Sequence, residues 1–300
     1  MDSELPSSII YEEEYIQNSR GVKFFTCRWL PEDQPIRGVV CLCHGYGVDC
    51  SIYMKGSGVH LAQAGYAVYG IDYIGHGKSD GLPCYIPDFG ELVDQVAVYY
   101  KSVREKYEYR KVPKYLLGES MGGCVALSVH FKEPTAWDGA VFVVPMCKIS
   151  EKTELPPALV MTAMAWLSPV IGTWPIIPAN DVIDTAFKDP IKRAQVRANP
   201  YAYQGRPRVK TILEMLNASR KIESNLDKVS LPFFVLHGED DMVTDPDASK
   251  ALYNAAKSKD KTIKLYPDTW HGILVGESDE KIANVFKDII AWLNERSPTQ

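Results

Sequence analysis

Short apolar runs alternate with longer stretches of helical periodicity along most of the chain. Residues 38–47 (GVVCLCHGYG) form a β-rich run that ends in glycines, and 54–66 (MKGSGVHLAQAGY) read as a helix. The pattern continues with a strand opening into a loop at 66–77, a helix at 87–107, a strand at 112–120, a helix at 121–132 and a strand at 137–146. After a gap it resumes with a strand at 231–241, a helix at 246–257, a strand at 261–268 and a helix at 279–295. Strands of this length separated by helices imply βαβ units and a mostly parallel sheet covered on both faces. Wholly apolar strand segments such as FFVL fit burial on both sides. The predicted class is α/β, with functional groups gathered at the carboxyl ends of the strands.

The beat fails between residues 147 and 227. Residues 155–180 (LPPALVMTAMAWLSPVIGTWPIIPAN) contain no charged side chain, and their length would suffice for a membrane span. Pro156, Pro157, Pro169, Pro175, Pro178 and Gly172 interrupt any single helix across them. The expectation is a helical cap over 147–227, inserted between core parts 1–146 and 228–300, with its apolar face above a greasy cleft.

Four turns that follow strands carry candidate chemistry: 44–47, 75–81, 118–122 and 237–241. Gly118-Glu119-Ser120-Met121-Gly122 fits G-x-S-x-G, which places a serine on a strained strand-to-helix turn. A serine hydroxyl needs a base to take its proton, and the base needs an acid to orient it. In this architecture the acid and then the histidine follow the serine along the chain. Of the six histidines (44, 60, 76, 130, 237 and 271), only His271 follows both Ser120 and a strand-end carboxylate. Asp240 and Asp241 both suit the acid position after the strand at 231–238, Asp245 less well, and spacing does not separate the adjacent pair. Donors for a developing oxyanion are expected from the backbone amides of Met121 and of Tyr46 in the HGYG turn.

Composition narrows the partners. The 300 residues are 46% hydrophobic and 24% charged, and the net charge of −5 gives no electrostatic reason to expect nucleic acid. The first residues are acidic and lack an apolar run, so no secretory signal is expected, and the last carry no lipidation or retention motif. Seven cysteines without C-x-x-C spacing are expected to be reduced thiols in a cytoplasmic protein. No metal and no cofactor are expected, and the GHGKSD loop around His76 reads as structural.

Taken together, HGYG, GIDYIGHGKSDG, GESMGG, ANPYAYQGRPRVKT, LPFFVLHGEDDMVTDP and DKTIKLYPDTWHGI resemble the monoacylglycerol lipase-like group of α/β-hydrolases, which includes the caffeoylshikimate esterases. The resemblance runs from about residue 10 to 295. It implies Ser120 as nucleophile, His271 as base and Asp241, two residues before Val-Thr, as the acid. It also implies the amides of Tyr46 and Met121 as oxyanion hole and a cap at roughly 147–227. Members cleave monoacylglycerols, and some cleave lysophospholipids or hydroxycinnamoyl esters. The NPYAYQGRPR stretch looks nearer to the monoacylglycerol lipase branch. The expected activity is hydrolysis of a small-molecule ester through an acyl-enzyme, with possible membrane contact through the cap. An aromatic ester would ask for a cation on its alcohol side, for which the cap offers Arg193, Arg197, Arg206 and Arg208. His44 and Asp49 also fit H-x4-D, a pattern of glycerolipid acyltransferases, read here as coincidence. A non-catalytic receptor would have lost part of the triad, and this chain has all of it.

Overall fold

A computed structural model describes residues 6–106, 109, 111–148, 158–177 and 181–297. Their centre is an eight-stranded sheet: β1 (Ile9–Gln17), β2 (Lys23–Pro31), β3 (Gly38–Cys43), β4 (Tyr66–Ile71), β5 (Lys114–Glu119), β6 (Gly139–Val143), β7 (Phe233–Gly238) and β8 (Lys261–Tyr266). The strand order is β1-β2-β4-β3-β5-β6-β7-β8. β2 pairs antiparallel with both β1 and β4, and every other pairing is parallel. β3, β4, β6 and β7 are buried at every residue, which is why their sequences are continuous apolar runs rather than alternating ones. β8 alternates because it is an edge. β1 and β2 lie ahead of the elements expected from the sequence: β1 is at the other edge and carries Glu12-Glu13-Glu14, charges that suit an edge strand.

The helices form two layers. On one face α1 (Lys55–Gln63) and α9 (Asp279–Glu295) bury Leu61, Ala62, Val285, Phe286, Ile289 and Leu293. On the other, α2 (Phe89–Arg104), α3 (Met121–Lys132) and α8 (Pro246–Ala255) bury stripes that include Leu92, Val96, Tyr100, Val125 and Leu252. Their starts follow local chemistry. Asp88 accepts from the Glu91 amide at the head of α2 (2.9 Å), and Asp245 accepts from the Asp247 amide ahead of Pro246.

Between β6 and β7 the chain forms α4 (Ala158–Ile171), α5 (Val182–Ala186), α6 (Pro190–Ala198) and α7 (Val209–Glu223). The two ends of the uncharged stretch, 155–157 and 178–180, and part of the expected cap at 149–157 lie outside the described residues. α4 spans only fourteen residues and ends in a turn at Gly172, so among the described residues no helix is long and apolar enough to cross a membrane. Its apolar side chains are largely uncovered, Trp166 being 82% exposed and Val170 73%.

Candidate active site

β5 delivers Ser120 into a left-handed backbone conformation, φ 55° and ψ −118°, rare for a residue with a side chain and stored as strain at functional turns. The turn is held from three sides. The Ser120 amide donates to Val143 O (2.9 Å), and its carbonyl accepts from Gly123 and Met146 (both 2.9 Å). The glycines are required by close approach: a methyl on Gly122 would lie 1.9 Å from the Cys43 carbonyl oxygen, and one on Gly118 would lie 2.4 Å from Gly122 O. Gly122→Ala therefore forces α3 off β3 and is expected to destabilise by about 3 kcal/mol, read as a lower denaturant midpoint.

Met121 opens α3, so its amide is one of the first-turn N–H groups that no helical carbonyl reaches. The HGYG turn runs alongside: a methyl on Gly45 would sit 3.5 Å from Ser120 Cβ. Tyr46 follows, its ring against His76 and Tyr203. His44 is buried beneath, its Nε2 accepting from the Tyr73 amide (3.2 Å) and its ring stacked on Tyr73. Asp49 takes the Ile52 amide and the Ser51 hydroxyl on one oxygen and Asn199 Nδ2 on the other (2.7 Å). Both members of the H-x4-D pattern are thus committed to structural bonds. His76, buried with Nδ1 against Ile74 O, has its pKa pushed down to about 4 by burial.

One hydrogen bond separates the three candidate acids. His271 Nδ1 lies 2.7 Å from Asp241 Oδ2, and the Asp241 side chain is completely buried. Asp240 is exposed, and Asp245 caps α8. Asp241 is held by an Asx-type turn, its Oδ1 accepting from the Val243 (2.7 Å) and Thr244 (3.0 Å) amides. The sequence reading missed two further donors. The Thr244 hydroxyl is 2.9 Å from Asp241 Oδ2, and His237 Nε2 is 3.0 Å from the same oxygen, with its own Nδ1 against Ser249 Oγ (2.7 Å). Their signal was present as His237 four residues before Asp241 and Thr244 three after it.

His271 itself stands on a loop pinned by Gly272 N–H to Ala186 O (2.8 Å), by Phe187 packed over Gly272 and Gly276, and by Trp270 N–H to Glu277 Oε1 (2.7 Å). α5 thus ties the segment between β6 and β7 to the histidine loop. The remaining histidines do not compete: His60 stacks on Phe286, and His130 accepts from the Ser230 amide (3.3 Å).

Burial works against a charged His271, but the Asp241 carboxylate outweighs it and Glu119 adds to it, so its pKa stands above the ordinary 6.5. Burial would also favour a neutral Asp241. The His271 charge and the donors from His237 and His271 instead hold it far below the usual carboxylate range. All seven cysteines are free and buried, and burial pushes the Cys84 and Cys147 thiols up to about 12, which leaves them poor nucleophiles. A cavity of about 1100 Å³ lies elsewhere, between α2 and strands β1, β2 and β4, and none of these catalytic candidates lines it.

Residues 34–279 match the family described as serine aminopeptidase, S33. The chain belongs to this family, as a monoacylglycerol lipase-like α/β-hydrolase. The chain is 37% identical to the caffeoylshikimate esterase of Arabidopsis thaliana over 97% of its own length and 90% of that protein. It is 27% identical to the human monoglyceride lipase, over 98% of this chain and 94% of the other. In fold it matches a soluble variant of the Saccharomyces cerevisiae monoglyceride lipase, solved with a substrate analogue, at a TM-score of 0.84 and 22% identity, covering 99% and 98% of the two chains. Its relatives place it among the carboxylic ester hydrolases.

Proposed function

We propose that the protein hydrolyses esters carrying one acyl chain, monoacylglycerols first among them, through an acyl-enzyme on Ser120. The observation that carries the chemistry is the buried Asp241–His271 pair, placed after β7 and β8 of the same sheet in which β5 ends in Ser120 at a left-handed turn. Ser120 Oγ attacks the ester carbonyl while His271 takes its proton. The oxyanion is met by the Tyr46 and Met121 amides, and His271 returns the proton to the leaving alcohol. Water, deprotonated by the same imidazole, then releases the acid. Asp241 keeps Nδ1 protonated so that Nε2 can act as the base. Because neutral imidazole is needed and His271 is raised, kcat/KM is expected to fall on the acid side with its half-point above pH 6.5. A profile flat down to pH 5 would oppose His271 as the base.

The lipid substrate is supported by the cap, read as 147–227. α4 offers Trp166, Leu167 and Val170 with no charge among them, and α7, which packs against it, is preceded by Arg208. Arg208 Nε donates to Pro83 O, tying the cap to the core. Such a surface suits contact with a lipid phase as well as an alkyl chain. Each buried methylene contributes about 0.8 kcal/mol, so the enzyme is expected to accept a broad range of chain lengths, with kcat/KM varying gradually from C8 to C18. A single sharp optimum would count against an alkyl channel.

A hydroxycinnamoyl ester is the second reading, favoured by the higher identity to the Arabidopsis esterase. Of the four cap arginines, the exposed Arg206 is left to supply the cation expected on its alcohol side, because the other three are engaged. Arg197 pairs with Asp181 (2.6 Å) and Asp184 (2.9 Å), Arg193 with Asp184 (3.6 Å), and Arg208 is bonded to backbone carbonyls. The test is kcat/KM for a 2-monoacylglycerol and for caffeoylshikimate side by side. The lipase reading expects a strong preference for the glycerol ester, and the reverse preference would replace it. The buried, reduced thiols fit a reducing compartment such as the cytoplasm.

A further inference from the structure

Glu119, the residue before Ser120, is left over by this mechanism. It ends β5 with only 2% of its surface exposed. Its Oε1 accepts from the Tyr53 hydroxyl (2.9 Å), while Oε2 is buried with no hydrogen-bond partner. A buried carboxylate with an unused oxygen is costly unless a nearby charge offsets it. Tyr53 packs edge-on against Phe187 (ring centroids 6.2 Å apart), the ring that covers Gly272 beside His271, so the pocket around Glu119 adjoins the histidine loop and the His271 charge acts on it. We infer that Glu119 is a second acidic partner of His271, a positioning residue that stabilises the imidazolium formed when Ser120 gives up its proton.

Asp241 alone serves His271 incompletely, because its two oxygens also take the Val243 and Thr244 amides, the Thr244 hydroxyl and His237. Its negative charge is shared among many donors, whereas Glu119 has one, Tyr53. The titratable groups facing the imidazole are Asp241, backed by His237, and Glu119, backed by Tyr53 with Asp49 beyond it. α5 meets the histidine loop with Ala186 and Phe187, which carry no charge. Burial raises the Glu119 carboxyl above its ordinary value, against the Tyr53 bond and the His271 charge. The His271 charge favours the carboxylate form of Glu119, so the negative charge is already in place when the imidazolium forms. No proton passes between them; Glu119 acts through the field it places on the ring.

This inference rests on His271 being the base for Ser120, and the experiment separates the two claims. The pH dependence of kcat and kcat/KM is measured with p-nitrophenyl butyrate for wild type, Glu119→Gln, Tyr53→Phe, the double variant and Ser120→Ala. Glu119→Gln keeps the shape and loses the charge. Its acid limb should move to lower pH by roughly half to one unit. Its kcat should fall about tenfold, with KM little changed. Tyr53→Phe should move the limb the same way by less, because Glu119 then ionises less readily. The double variant should match Glu119→Gln alone. A merely structural Glu119 would lower Tm and leave the limb where it is. A folded Glu119→Gln with the wild-type limb and kcat overturns the inference while leaving the triad intact. Should that variant not fold, an unmoved limb in Tyr53→Phe overturns it instead. If Ser120→Ala retains the wild-type rate, the parent reading falls and this one with it.

Discussion

Ser120→Ala is expected to lower kcat for ester hydrolysis by a factor on the order of 10⁶, with little change in folding. The reasoning is local. The alanine keeps the Cβ, so the left-handed strain at φ 55° is the same in both proteins. The three backbone bonds that clamp the turn, to Val143, Gly123 and Met146, do not involve the hydroxyl. What disappears is the only side chain in the proposed mechanism that forms a bond to the acyl carbon. The oxyanion donors and the cleft would remain and sustain only the slow attack of water. The measurement is single-turnover hydrolysis of a p-nitrophenyl ester, with circular dichroism confirming the fold. A variant within tenfold of wild type would remove Ser120 from the chemistry.

Asp241→Asn is expected to cost about 10⁴ in kcat, since the wrong imidazole tautomer is then favoured. Here the substitution has a second consequence. The carboxylate accepts from His271 Nδ1, His237 Nε2 and three groups of residues 243 and 244. An amide has a single oxygen to replace two, so its nitrogen must face donors in a wholly buried setting. A stability loss of about 1–3 kcal/mol should therefore accompany the rate loss. Asp240→Asn, on the exposed neighbour, should leave both close to wild type. Equal effects from the two substitutions would mean that the acid has been misassigned.

How much could be read in advance follows from where each signal originates. β3 to β7 were legible because parallel strands buried on both faces leave an unbroken apolar run, and α2 because Asp88 caps an obvious amphipathic stripe. β1 escaped because an edge strand with three consecutive glutamates leaves most of its residues uncovered, and β2, an interior strand, because Lys23, Thr26 and Arg28 break up its apolar run. Ser120 and His271 were singled out by a turn motif and by chain order. Asp240 and Asp241 could not be separated by spacing, because the choice depends on which way a turn points its side chains. The helices between β6 and β7 were expected only as a group, where prolines and missing charges blurred the period. Contacts made only by folding were invisible: Tyr53 meets Glu119 from 66 residues away, and Asn199 reaches Asp49 across 150. Of the four arginines that looked available in sequence, Arg193 and Arg197 are ion-paired in the fold and Arg208 is bonded to backbone carbonyls.

The central claim is a covalent intermediate on one named oxygen, and mass spectrometry can see it. Wild type, Ser120→Ala and Asp241→Asn would be mixed with a p-nitrophenyl ester, quenched in acid within milliseconds to seconds, digested and mapped. The account predicts an acyl adduct on the peptide bearing Ser120 in wild type, none in Ser120→Ala, and slower acylation of the same residue in Asp241→Asn. An adduct on another side chain, or turnover with no adduct and no loss in Ser120→Ala, would contradict it.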